Sequence, residues 1–246
     1  MPRVDPHVKL LDERVVRRAK RRGLDALVYA PHFTRLPDAR ERADAASDDD
    51  LLVVPGREVF TGTWRNRRHV LAVGLSEPVP DFIPLERAMA EFERQGAVVL
   101  VPHPEFATVS LDADDIARYP IDAVEAYNPK HLARHNRRAG ELAARFDLPA
   151  FGSSYAHRLA TVGEVWTTVE APLSGEADLL AALRGGAFRV GRRDGLRHDL
   201  RRAAEMAHLG WENSWEKLDR VLLSGMEPTH PRQVAYGGRF DDDALY

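Results

Sequence analysis

Short apolar runs of four or five residues recur along the chain, and several stop at a proline or at a side chain able to hold a metal. The clearest is residues 97–101, AVVLV, followed by Pro102 and then His103. An unbroken apolar run of this length suits a strand buried on both faces, as in a parallel sheet. Pro102 cannot donate to a strand ladder, so the strand ends there and His103 stands just beyond its carboxyl end. That is where α/β barrels place their chemistry.

Further strands are expected at residues 4–8, 26–29, 51–54, 68–73, 123–127, 149–152 and 165–169. The third is expected to break at Pro55-Gly56 and to close on Arg57, Glu58 and Val59. Helical stretches are read at residues 11–22 (capped by Gly23), 34–50 (ending in the turn SDDD), 85–95, 114–118, 131–146 and 178–184. Strand–helix alternation of this kind predicts a parallel sheet with crossover helices. Seven such units point to a β/α, TIM-like barrel over residues 1–190. From Gly191 the chain turns basic, GRRDGLRHDLRR, and then carries Trp211 and Trp215 as packing anchors. Residues 191–246 are read as a small helical appendage packed on the barrel, with too little apolar content to be stable alone.

Several function classes fall away. There is no GxGxxG after a strand, no GxxxxGK[ST] and no GxSxG, which removes dinucleotide, P-loop and nucleophile-elbow chemistry. With no cysteine, any metal must be held by histidine, carboxylate or another oxygen donor, which favours zinc, manganese or iron ahead of magnesium. No segment approaches the roughly 18 apolar residues of a membrane span, and the amino terminus lacks an apolar signal region, so a cytoplasmic location and no membrane partner are expected. The net charge of −3 gives no global field for nucleic acid, which is therefore not favoured as a partner.

The candidate ligands are His7, His32, Glu58, His69, His103 and His157, and five of the six directly follow expected strands. Ten histidines scattered by chance would not show that regularity. Barrel strands converge at their carboxyl ends, so these side chains can meet. Neutral imidazole and carboxylate suit borderline divalent ions. Ions so held assist hydrolysis, most naturally of a phosphate ester.

The order of these segments resembles the PHP (polymerase and histidinol phosphatase) family of metal-dependent phosphoesterases, over roughly residues 3–190. VDPHVK is similar to the family's opening DxHxH, GLDALVYAPHFT to GxDxxxxTDHxT, and VVPGREV to PGxE. HVLAVGL then resembles HxLxxG, VLVPHP the AHP motif, AVEAYN the xxExxN segment and GSSYAH the GSDAH motif. The resemblance implies a distorted seven-stranded barrel with up to three metal ions, and a family-associated region in the C-terminal part. It departs from the family at Lys9, Pro31 and Tyr155, which stand where the family has histidine, aspartate and aspartate.

Carried over position by position, one metal site keeps Glu58, His69 and His103. A second would use His32 and His157, with Asp12 as a further candidate. The remaining one keeps only His7 and Glu58. The expected activity is hydrolysis of a phosphoester in a nucleotide or small phosphorylated metabolite by a metal-bound hydroxide in a mono- or binuclear site. His7, Lys9 and Glu58 are the candidate catalytic groups. The Lys9 ammonium is read as replacing the lost ion, against the alternative that it points outward. Asn128, Lys130, Arg68 and Tyr155 are candidates for binding the substrate. Arg65 and Arg67 flank the same position, and His131 and His135 are read as surface decoration. The alternative function is a non-catalytic barrel serving as a binding or scaffold subunit associated with RNA, as in ribonuclease P; an amidohydrolase ranks third.

Overall fold

The computed structural model describes residues 1–63, 66–104, 109–211 and 228–245, without the side chains of 209–211. Arg65, Trp215 and the Trp211 side chain therefore lie outside the described residues. Nine strands form one sheet: β1 (Arg3–Val8), β2 (Ala26–Tyr29), β3 (Leu52–Thr61), β4 (Arg68–Val73), β5 (Val98–Val101), β6 (Ala123–Tyr127), β7 (Ala150–Gly152), β8 (Val165–Val169) and β9 (Phe188–Arg192). Their order is β7-β6-β5-β4-β3-β2-β1-β8-β9. Seven α-helices accompany them among the described residues: α1 (Glu13–Arg22), α2 (Leu36–Ala46), α3 (Leu85–Arg94), α4 (Ala113–Arg118), α5 (Ala133–Arg145), α6 (Glu176–Gly185) and α7 (Leu196–Trp211).

The α/β barrel is as expected, with two corrections. The sheet is mixed rather than parallel, because β4 runs antiparallel to both β3 and β5, and β8 to both β1 and β9. It also has nine strands rather than seven, and β9 spans the boundary expected at residue 190. Pro55-Gly56 does not break β3. The strand pairs with β2 up to Pro55 and with β4 from Gly56 onward, so the dipeptide marks the point where it changes neighbour. A Cβ on Gly56 would lie 2.7 Å from Val28 Cγ1, so only glycine lets the two strands approach there.

The sheet nearly closes on itself. Between β7 and β8 the seam is made by one hydroxyl, as Thr167 Oγ1 donates to Gly152 O and accepts from Gly152 N at 2.8 and 2.9 Å. The barrel interior is layered. At one end the strand starts Val4, Ala26, Val98 and Ala123 pack with Leu179 and Leu183 of α6, which plugs that end with apolar surface. Period-2 alternation then carries the inward face toward the other end: Val54 to Gly56 to Glu58, Val73 to Leu71 to His69, and Ala123 to Glu125. Outside the sheet, α3, α4 and α5 cover one flank with a second core that also takes in Tyr236 and Phe240. No helix among the described residues is long and apolar enough to cross a membrane.

Candidate metal centre

The open end of the barrel gathers side chains around the carboxylate of Glu58, which is fully buried. His103 Nε2 lies 2.7 Å from Glu58 Oε1, His69 Nδ1 3.6 Å and His7 Nε2 3.8 Å. His32 Nδ1 lies 3.1 Å from the other oxygen, Oε2. Lys9 Nζ reaches the same oxygen at 2.5 Å and donates to Ala30 O at 2.7 Å. Its side chain is 4% exposed, so Lys9 points into the pocket and the outward-facing alternative is excluded.

β4 explains why His69 belongs here although it begins its strand. Because β4 is antiparallel, its start lies at the rim where the parallel strands end, opposite Phe60 of β3. The Phe60 ring stacks on the imidazole, with centroids 3.9 Å apart.

Two site residues adopt left-handed backbone, His103 at φ 35° and Tyr155 at φ 44°. Non-glycine residues there carry strain and need support. For His103 it comes from Glu125, whose Oε2 accepts the His103 N–H at 2.6 Å, while Ser110 Oγ donates to the His103 carbonyl. Glu125 is itself satisfied by Ser153 and by Asn128 Nδ2 at 3.0 Å. Burial pushes its carboxyl up, against the hydrogen bond from Ser153.

The remaining wall is aromatic and cationic. The Tyr155 ring lies 4.7 Å from His7, 5.3 Å from His103 and 4.8 Å from His157. Lys130 Nζ sits 4.2 Å over that ring and 3.3 Å from Glu205 of α7. Glu205 Oε1 also accepts the backbone N–H of His157 at 2.7 Å, and the His157 ring lies 5.4 Å from His32.

The electrostatics favour neutral imidazoles around an ionised carboxylate. Burial, then the Lys9 charge, hold His7 and His32 well below the usual imidazole range, and burial with Lys130 does so for His157. Burial pushes the Glu58 carboxyl up, but Lys9, His7 and the contacts from His103 and His32 outweigh it and hold it well below the usual carboxylate range. Neutral imidazole and ionised carboxylate are the forms that bind metal. Single ligand atoms of Glu58, His69 and His103 all lie within 4.8 Å of one another. Both ring nitrogens of His7 are buried without a hydrogen-bond partner among the described residues. A buried imidazole in that condition is costly unless something else takes its lone pair. The residues present fit a divalent ion.

Three candidates do not join. The Arg68 guanidinium is taken by Asp112 and Asp115 at 2.8 and 2.5 Å, on the face of β4 opposite His69, and not held for a phosphate. Asn128 is buried and bonds to Glu125 and to Lys130 N, so its side chain is engaged in shaping a turn. Asp12 caps α1, accepting from Val15 N at 2.9 Å, and is not a ligand. His131, read as surface decoration, is buried, and burial lowers its pKa to about 3. Glu205 carries no strand-end signal in the sequence, because it lies on α7 and follows no strand.

A model of the PHP-associated family matches residues 133–188, upstream of the segment where a family-associated region was expected. The uncharacterized protein MJ1587 of Methanocaldococcus jannaschii is 23% identical over 117 residues, covering 48% of this chain and 66% of that protein. Among solved structures, PsfC from Pseudomonas syringae PB-5123 shares the fold at a TM-score of 0.63 and 22% identity, over 87% of this chain and all of PsfC. The lesion-specific endonuclease PfuEndoQ from Pyrococcus furiosus does so at 0.57 and 14%, over 77% of this chain and 57% of that one. The chain is thus similar to these solved structures in fold, and its residues 133–188 are similar to the PHP-associated family.

Proposed function

We propose that this chain is a metal-dependent hydrolase of phosphoester bonds. The observation that carries the reading is the convergence of four imidazoles, those of His103, His69, His32 and His7, on the one buried carboxylate of Glu58. Glu58, His69 and His103 would hold one divalent ion, with His7, His32 and His157 beside it. Bound there, such an ion acidifies a coordinated water and polarises a phosphoryl oxygen. Lys9 keeps a fixed positive charge against Glu58 where the family has a further metal ligand, which supports a site with fewer ions. Its ammonium also favours the negative charge that develops on a phosphoryl group in the transition state. Tyr155 and Lys130 close the wall against water and present a phenol and a cation toward the substrate. Glu125 fixes the strained turn that aims His103, and so acts as a positioning residue. The resemblance to a lesion-specific endonuclease in fold is compatible with a phosphate ester as substrate.

The test is turnover of p-nitrophenyl phosphate and bis(p-nitrophenyl) phosphate by protein supplied with manganese or zinc. The reading expects activity in at least one case, abolished by EDTA and by His103→Ala. Absence of turnover with either metal, from protein shown to bind it, would overturn the hydrolytic reading.

A further inference from the structure

A second built feature lies outside the Glu58 pocket. Arg18 and Arg22, one turn apart on α1, and Arg201 on α7 all reach one oxygen of the buried Glu164 carboxylate, at 3.3, 2.7 and 2.8 Å. Around them opens a groove of about 470 Å³ lined by Arg22, Arg192, Arg193, Arg197, Arg201 and Trp166, with Glu164 and Asp194 as its carboxylates. Arg197 and Arg201 stand one helical turn apart on α7, and Arg22 of α1 lines the same hollow. In a chain of net charge −3 this is a local excess of cations, not a reflection of composition.

Such crowding is costly by itself. Burial and the neighbouring Arg22 and Arg201 push the Arg18 guanidinium down to about 10. Arg192 faces the exposed Asp194 at 3.2 Å and lies 4.9 Å over the Tyr127 ring. Anions entering the groove relieve that repulsion, and planar guanidinium forks match phosphate oxygens two at a time.

We infer that this groove binds the phosphate backbone of a nucleic-acid strand. One phosphate occupies about two forks, whereas these arginines spread across α1, β9 and α7 and so offer places for phosphates in series. The Trp166 ring, packed against Gly191 and with Arg3 and Arg193 at 5.0 and 6.0 Å from its centroid, adds an aromatic surface to the groove wall. A small cavity of about 10 Å³ shares Glu164, His198 and Arg201 with the groove and Lys130 with the wall around Glu58. The inference goes beyond the hydrolytic reading and does not depend on it, because a strand can be held without being cut.

The experiment measures binding of a fluorescein-labelled single-stranded 20-nucleotide DNA by anisotropy, in EDTA, across a salt series. The full chain is compared with Arg192→Glu/Arg197→Glu, two exposed positions whose exchange leaves the Glu164 ion pairs in place. Melting curves confirm that both proteins are folded. The wild-type protein is expected to bind with a salt dependence that the double variant flattens by about 1.4 in slope, since each phosphate contact on a single strand contributes about 0.7. Affinity should fall at least about tenfold. Equal binding by the variant, or no binding by either protein, would overturn the inference. Displacement of the DNA by tripolyphosphate at the same phosphate concentration would overturn the strand in favour of a small polyanion. Because no metal is present, loss of hydrolysis cannot imitate any of these outcomes.

Discussion

Replacing Lys9 by methionine isolates the central ion pair. Methionine keeps an unbranched apolar side chain of similar length but removes the ammonium that lies 2.5 Å from Glu58 Oε2. Both side chains are buried, at 4% and 0% exposure, so water cannot replace the lost partner. Taking one member from a buried pair typically costs about 3–5 kcal/mol. For a chain of this size each kcal/mol lowers Tm by roughly 2–4 °C, so in EDTA the variant should melt on the order of 10 °C lower. The deficit should depend on pH. In the wild-type protein Glu58 is held low, so its contribution is present above its unfolded pKa and is lost only in strong acid. Without Lys9, burial dominates and raises the carboxyl, so the variant loses stability as pH rises and its deficit shrinks toward pH 5. Manganese or zinc should then raise Tm more in the variant than in the wild type, because the ion no longer competes with an ammonium. Differential scanning calorimetry in EDTA and in metal reads both effects. A melting point within 2 °C of wild type at pH 8 in EDTA would refute the pairing.

Three further outcomes follow from the same geometry. Lys9→His should raise the number of divalent ions bound per chain by one, counted by elemental mass spectrometry; an unchanged count sinks the idea that the ammonium replaces an ion. Glu125→Ala removes the acceptor that holds His103 at φ 35°, and isothermal titration should show metal affinity weakened roughly 10- to 100-fold. Thr167→Val leaves Gly152 N–H and C=O without their bridging hydroxyl at the barrel seam, which should cost about 1–3 kcal/mol in chemical denaturation while metal content stays the same.

Much of the fold was legible because its strands obey local rules. Each expected strand was found within two residues of its observed start and end, apart from the continuation of β3 through Pro55-Gly56. Proline there reads as a breaker, and only the change of partner from β2 to β4 shows why it is tolerated. Strand direction was illegible for the same reason: antiparallel β4 places His69 at the correct rim from the start of its strand, a fact no local pattern contains. β9 is weakly marked because its alternation, Phe188-Arg189-Val190, is only three residues long before Gly191 and Arg192. At the site, the side chains that converge on Glu58 were legible from their positions beside expected strands. Their supports were not, since Glu205 comes from a helix some 50 residues after His157, and His131 is buried only by tertiary packing. Arg68 and Asn128 lay near the correct rim and still proved to be engaged with neighbouring side chains.

The whole account stands on one coordination claim, and metal analysis of purified protein tests it most directly. After exposure to manganese or zinc and exhaustive desalting, the wild-type chain should retain at least one divalent ion per molecule. The His69→Ala/His103→Ala variant, folded by circular dichroism, should retain none. Wild-type protein that holds no ion, or a double variant that holds as many as wild type, would contradict it.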